Sequence, residues 1–332
     1  MKKTISIGIV LFIFSFSESS CGQIEEFDNS IINNPNDTDV INDSIFTCSF
    51  EKYMSLTPVG DKSAQASACY GDYFIQGYNY NGYITIYDLN KKTCIGTLRI
   101  TNPVPNSRIH VNTMNFGVQR FSPEDYFPLL YISSGYPTDG VFFVYVYRLV
   151  KNNVGGKDVF SISLVQTISL HGFDNWTEGV IDGDGNRLFV IHYPTGFYCY
   201  ALYDLPRLED GDVSINKKDC IKDVWLERLP KNSRNQGQIY VGGKIILVTG
   251  VPSANEIIAL ISVDVAEGKR DYIIDLAEVG LVNPNNPRDN TFEPEGVIVY
   301  NGQLMICYRT AIYTFTIEKC RRNKYLGICS ER

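Results

Sequence analysis

The feature that most constrains this chain is an internal repeat. Four segments share one pattern, a Gln or Glu, a short apolar run and a glycine turn, at residues 65–71, 178–185, 236–242 and 295–302. A fifth, residues 110–117, carries His110 and Asn112 and is a looser copy. Each is followed by an apolar strand, at 73–75, 129–132, 188–191, 245–248 and 304–307. A third strand rich in β-branched and aromatic residues comes next, at 83–89, 141–149, 197–205, 257–265 and 312–317. In four units a fourth strand follows, at 94–100, 160–170, 223–229 and 271–276. Four short strands per unit, joined by Gly-rich turns, predict the blade of a β-propeller.

The anchors Gln65, Asn112, Glu178, Gln236 and Glu295 count five blades. The fifth unit lacks a fourth strand, and residues 46–53 form a strand without a unit. Joining the two closes the ring and removes an unpaired edge. The expected fold is therefore an all-β, five-bladed β-propeller closed by an N-terminal strand, with a six- or seven-bladed ring of degenerate units as runner-up.

Charge and composition narrow the function class. Thirty Lys and Arg against 37 Asp and Glu leave a net charge of −7, the wrong sign for a nucleic-acid groove. Forty-four per cent hydrophobic residues suit a globular core. The first 20 residues read as an export signal: Lys2 and Lys3 precede an apolar run from Ile5 to Phe16 that is too short for a permanent membrane helix. Ser17-Glu18-Ser19-Ser20-Cys21-Gly22 then resembles a bacterial lipobox, with Cys21 the lipidated residue. Glu18 departs from the aliphatic residue usual at that position. Residues 21–44 are polar and read as a flexible tether, leaving 45–332 as one propeller domain. The expected address is the outer membrane or cell surface, lipid-anchored, or otherwise periplasmic or secreted, and the expected state is monomeric.

Eight further cysteines contain no CxxC and no Cys/His grouping at zinc spacing. Cys69, Cys199 and Cys307 sit in apolar strand patterns and read as buried thiols. Ring closure suggests a Cys48–Cys320 disulfide, with Cys320–Cys329 as the local alternative.

The [Gln/Glu]-Gly strand starts, the His-x-Asn-x3-Phe-Gly unit at 110–117 and Pro294-Glu295-Gly296 resemble lipoprotein propellers of gut-type Gram-negative bacteria. More distantly they resemble the five-bladed propellers of phage receptor-binding and teichoic-acid-associated proteins. The resemblance spans residues 46–317 and implies a fold and a surface-binding role. It transfers no catalytic residue.

In a propeller the innermost strand of each blade lines the axis, so Gln65, His110, Asn112, Glu178, Gln236 and Glu295 should ring one mouth. Their side chains either tie neighbouring blades together or hold a ligand. Loops opening on the same face supply Tyr78, Tyr136 and Tyr193, joined by Trp176, as stacking walls suited to sugars or a peptide. The leading reading is a noncatalytic module for a glycan or protein ligand, without nucleic acid and touching membrane only through its anchor. Under it, Glu178→Gln and Tyr193→Ala weaken binding and spare stability. An enzyme using Glu178 or Glu295 as general acid or base is the alternative, since five-bladed glycosidases and glutaminyl cyclases share this architecture. A scaffold with a channel calcium is the third reading; no other cofactor is expected. Asp182-Gly-Asp184-Gly-Asn186 starts like a calcium loop but has Arg187 at the glycine position, and reads as a tight turn.

Overall fold

The computed structural model describes residues 44–322 and 329–330, apart from 58, 60–62, 80–81, 101–109, 174–175, 183–185, 193–198, 226–233, 267–268, 278–279, 284 and 287. Cys21 and Tyr193 lie outside the described residues, as do the side chains of Cys48, Cys320 and Cys329.

Strand β1 (Ser44–Ser55) comes first in the chain and belongs to the last blade. Blade 1 is β2 (Ala64–Tyr70), β3 (Tyr73–Tyr78), β4 (Tyr83–Asp88) and β5 (Thr93–Arg99). Blade 2 is β6 (Val111–Phe116), β7 (Leu130–Thr138), β8 (Val141–Val154) and β9 (Lys157–His171). Blade 3 opens with β10 (Glu178–Asp182), β11 (Arg187–His192) and β12 (Cys199–Asp204). The chain then lends β13 (Val213–Asn216) to blade 2, parallel to β9, before returning as β14 (Lys222–Trp225) to finish blade 3. Blade 4 is β15 (Asn235–Val241), β16 (Lys244–Thr249), β17 (Ala259–Asp264) and β18 (Lys269–Asp275). Blade 5 is β19 (Pro294–Tyr300), β20 (Gln303–Tyr308) and β21 (Ala311–Arg322), with β1 as its fourth strand and the short β22 (Cys329–Ser330) beside β21. The five-bladed ring and its closure by the N-terminal strand stand as read from the repeat.

The middle strands are buried on both faces, which is why they read as unbroken apolar runs rather than alternating ones. A blade cannot bury its two faces alone, so each gap between blades carries its own core. Ile75, Ile84 and Ile86 of blade 1 meet Val111, Ile132 and Tyr145 of blade 2. Leu188, Val190 and Ala201 of blade 3 meet Val144 and Val146 of blade 2. Phe189, Ile191 and Tyr200 meet Leu247 and Ile261 of blade 4, whose other face packs Ile246 and Leu260 on Val297 and Ile306 of blade 5. At the seam Met54, Met305 and Cys307 close on Phe74 and Tyr87 of blade 1. Each fully buried large side chain stabilises by about 1.5–3 kcal/mol, so the seam is held as the other gaps are.

The seam register corrects the disulfide expectation. Cys48 stands opposite Ile317 and Cys320 opposite Ile45. That offset of three positions amounts to about 10 Å along the strands, beyond the roughly 7 Å that a bridge spans. Arg322, not Cys320, stands opposite Cys329. Cys69, Cys94, Cys199, Cys220 and Cys307 are free thiols, with Cys199 and Cys307 buried. Strands β10 and β11 pair antiparallel with Asp182 opposite Arg187, and residues 183–185, where the tight turn was expected, lie outside the described residues. Among the described residues no helix is long and apolar enough to cross a membrane.

Candidate functional site: a carboxylate ring beside an aromatic ledge

Each of the five anchors immediately precedes a residue paired with the middle strand of its blade, and in blade 3 Glu178 is itself paired, with Ile191. Ala66, Thr113, Gly179, Gly237 and Gly296 pair with Gly77, Ser133, Val190, Val248 and Cys307. In four blades the pairing slips there, so Gln65, Asn112, Gln236 and Glu295 each occupy a β-bulge. A bulge re-aims a side chain that regular pleating would direct elsewhere. In blade 3 Glu178 begins β10 without a bulge. The anchors are buried, from Glu178 and Glu295 at 1% exposure to Gln65 and Gln236 at 8%.

Glu178 is the hub of one half of the ring. It accepts hydrogen bonds from Asn112 Nδ2 and Thr113 Oγ1 of blade 2 and from Asn235 Nδ2 of blade 4, the last at 2.7 Å. One carboxylate thereby joins three blades. Burial raises its pKa to about 7, because desolvation outweighs the three donors that favour the charged form.

The other half is charged. Gln236 Nε2 donates to Glu293 Oε1 at 2.9 Å, so consecutive residues of β15 reach in opposite directions, Asn235 to blade 3 and Gln236 to blade 5. Arg309, in the turn after β20, donates through Nε to Glu295 Oε1 at 2.7 Å and pairs through its other end with Glu293 Oε2. Burial raises the pKa of both acids. For Glu295, raised well above the usual carboxylate range, the neighbouring Glu293 adds to the effect and Arg309 offsets it only in part. Glu295 Oε2 is buried and has no hydrogen-bond partner among the described residues. Gln65 contributes least, its amide donating to the adjacent Ala64 carbonyl.

Beside the anchors the inner strands approach one another closely. A Cβ at Gly237 would stand 2.6 Å from Gly296 Cα, and one at Gly296 would stand 1.8 Å from Ser67 Oγ. Asn115 of blade 2 donates across the ring to the Gln238 carbonyl of blade 4 at 3.0 Å. Among the described residues, the inner strands of blades 1, 2, 4 and 5 thus approach closely at this level and form a floor to the mouth.

Three rings stand beside it. Tyr136 and Trp176 lie 5.2 Å apart, and His110 lies 5.0 Å from Tyr136 and 6.4 Å from Trp176. Tyr136 and Trp176 are 42% and 37% exposed. Gly135 lets them approach the ring of anchors, since its Cβ would lie 2.9 Å from Asn112 Cγ and 3.0 Å from Trp176 Cζ3. Trp176 adopts φ +32, a left-handed conformation uncommon for a bulky residue. His110 is half-buried, and desolvation lowers its pKa to about 4 although its bond with Asn112 works the other way.

The structure thus brings Asn112, Glu178, Gln236, Glu295, His110, Tyr136 and Trp176 to one face. Tyr78 is not on the rim: it is 1% exposed, and its hydroxyl donates to Gln76 Oε1 at 3.0 Å. A tyrosine at the end of a middle strand is taken up by the gap between blades. Glu293, Asn235 and Thr113 escaped the sequence reading, although each adjoins an anchor or lies two residues from one. Arg309 stands out in no sequence pattern, because its role depends on two acids at the start of β19, Glu293 and Glu295.

Neither a protein-family model nor a curated protein matches the sequence. Solved structures similar to it include the glutaminyl cyclase of Myxococcus xanthus, at 12% identity and TM-score 0.49, over 81% of this chain and 97% of that one. The tail fibre of a Staphylococcus aureus phage is similar at 11% identity and TM-score 0.44, over 81% of this chain and 52% of that one. The PQQ-bound aldose sugar dehydrogenase of Streptomyces coelicolor is similar at 10% identity and TM-score 0.43, over 82% of this chain and 99% of that one.

Proposed function

We propose that the protein is a noncatalytic binding module of the cell envelope, anchored through lipid on Cys21, that engages a glycan at the mouth of its ring. The observation that carries this reading is the exposed Tyr136–Trp176 pair standing against the polar floor of anchors. A flat aromatic pair stacks on the apolar face of a sugar, and hydroxyl or amide groups of the ligand find amides and carboxyls beside it. Phosphate is the poorer fit: Arg309, the guanidinium within this ring, is already paired with two acids.

Burial is what favours binding over catalysis. A carboxyl with a pKa near 7 suits proton transfer. Glu178, however, is 1% exposed and holds three intramolecular donors, so its oxygens are engaged in joining blades. The floor reads as support and the ledge as contact surface.

The test is a glycan array followed by calorimetry on the hit. Trp176→Ala and Tyr136→Ala should each weaken binding about tenfold or more, consistent with loss of one stacking ring worth about 1–2 kcal/mol. Their melting temperatures should stay within about 2 °C of the parent, as for exposed substitutions. Unchanged affinity in both variants, or no hit on the array, would remove the glycan reading. Separately, Cys21→Ser should release the protein from membranes; a parent protein already soluble would remove the anchor.

A further inference from the structure

Away from the mouth, blade 3 gathers a second set of chemically versatile side chains. His192 and Cys199 stand directly opposite each other on β11 and β12. Asp223 of β14 stands opposite Ala201, two positions from Cys199, so all three project from one face of the sheet. Their donor atoms lie within 4.8 Å of one another. Cys199 Sγ is 3.7 Å from Asp223 Oδ1, and His192 Nε2 is 3.9 Å from the same oxygen. A tetrahedral ion with ligand bonds of about 2.0–2.3 Å sets its donors about 3.3–3.7 Å apart, so a small inward movement completes that geometry. His192 and Cys199 are 3% and 0% exposed.

The connector at 205–221, which carries β13 out to blade 2, brings two more groups to the same place. Lys217 Nζ is 2.6 Å from each oxygen of Asp223 and 3.8 Å from Cys220 Sγ. An ammonium seated between a carboxylate and thiols shows that this pocket favours positive charge. Nitrogen, sulfur and oxygen donors together select an ion of zinc's class over calcium or magnesium, which favour oxygen alone.

We propose that His192, Cys199 and Asp223 form a binding site for a zinc-class divalent cation, with Cys220 at its edge and the Lys217 ammonium as the cation it displaces. On binding, the Cys199 thiol gives its proton to solvent and its sulfur bonds the metal; His192 binds through a neutral nitrogen, and no electron is transferred. The bound ion would clamp the 205–221 connector to blade 3, at the gap that β13 bridges.

The test uses the full chain titrated with cobalt(II), whose thiolate complexes absorb in the near ultraviolet. One cobalt per chain should produce a thiolate-to-metal band that zinc abolishes by competition. Cys199→Ser and Asp223→Asn should remove the band, and His192→Ala should weaken binding at least about tenfold. Lys217→Met should tighten binding about tenfold, because a half-buried ion pair no longer has to open. Glu51→Gln, exposed on β1 of the last blade, should change nothing. Circular dichroism of each variant without metal separates lost binding from lost folding, and Asp223→Asn stands in should Cys199→Ser fail to fold. A missing band at saturating cobalt, a band that survives both Cys199→Ser and Asp223→Asn, or weaker binding in Lys217→Met would overturn the assignment.

Discussion

The two halves of the mouth solve one problem in opposite ways. Both bury carboxyl groups, at a cost that must be met by hydrogen bonds or by opposite charge. On the blade 3 side Glu178 is met, among the described residues, by neutral donors, two amides and a hydroxyl. On the blade 5 side Glu293 and Glu295 share the Arg309 guanidinium, with Gln236 as the neutral contributor. The difference teaches that neutral donors can fill a carboxylate's oxygens without cancelling its charge, so the first half responds chiefly to pH. The second half responds chiefly to loss of its cation.

The largest expected effect lies on the charged side. Arg309→Met leaves two buried acids without their cation and should cost about 3–5 kcal/mol at pH 8, measured by urea unfolding. Lowering the pH should recover much of it, since Glu293 and Glu295 can then be neutral. A loss that is the same at pH 5 and pH 8 would break the distinction between the halves.

Next comes the pH dependence of the parent protein. The folded pKa of Glu178 is raised to about 7 from 4.5, so the folded state holds a proton that the unfolded state has released across that window. Stability contributed by this proton is fully present below pH 4.5 and is lost as the pH rises toward 7, by about 3 kcal/mol. Glu293 and Glu295, also raised, act with the same sign. His110 acts against them: its folded pKa is lowered from 6.5 to about 4, so it adds stability as the pH rises through that interval. Three acids outweigh one histidine, so melting temperature should fall between about pH 5 and 7. Glu178→Gln should flatten the slope while lowering stability at pH 5 by about 1–3 kcal/mol, because an amide cannot accept three donors as the carboxyl does. This reverses the sequence-based expectation that the substitution would spare stability. A rising melting curve over that interval would show that the carboxyls are not held neutral.

The smallest contrast concerns the glycines that directly follow the anchors. A Cβ at Gly237 would stand 2.6 Å from backbone, at Gly296 Cα, whereas one at Gly179 would meet side-chain methyls of Leu188 and Val144 at 3.0 Å. Gly237→Ala should therefore cost about 2–3 kcal/mol and Gly179→Ala about 1 kcal/mol, read by chemical denaturation. Equal losses would mean that the axis yields as readily as the gap between blades.

Much of the architecture was legible because a propeller repeats its instructions. Each blade needs an apolar middle strand buried on both faces, so periodic apolar runs marked β3, β7, β11, β16 and β20 within a few residues. A strand without a unit and a unit without a strand together marked the closure by β1. The anchors were legible for a related reason: polar residues at one point of an otherwise apolar repeat stand out, and each proved to precede a residue paired with the middle strand of its blade.

The partners of those anchors were decided only by tertiary structure. Which donor meets Glu178 depends on bulges that turn Asn112 out of the pleat and on two blades arriving from either side of it. Arg309 reaches Glu293 and Glu295 from a turn, and Tyr78 is removed from the rim by the packing between blades. The grouping of His192, Cys199 and Asp223 was hidden for the same reason, since cross-strand neighbours share a sheet face at no fixed spacing in sequence. Hydrophobic periodicity is a local property that one strand carries by itself. Polar contacts at a propeller mouth belong to several strands at once, and only the closed ring brings them together.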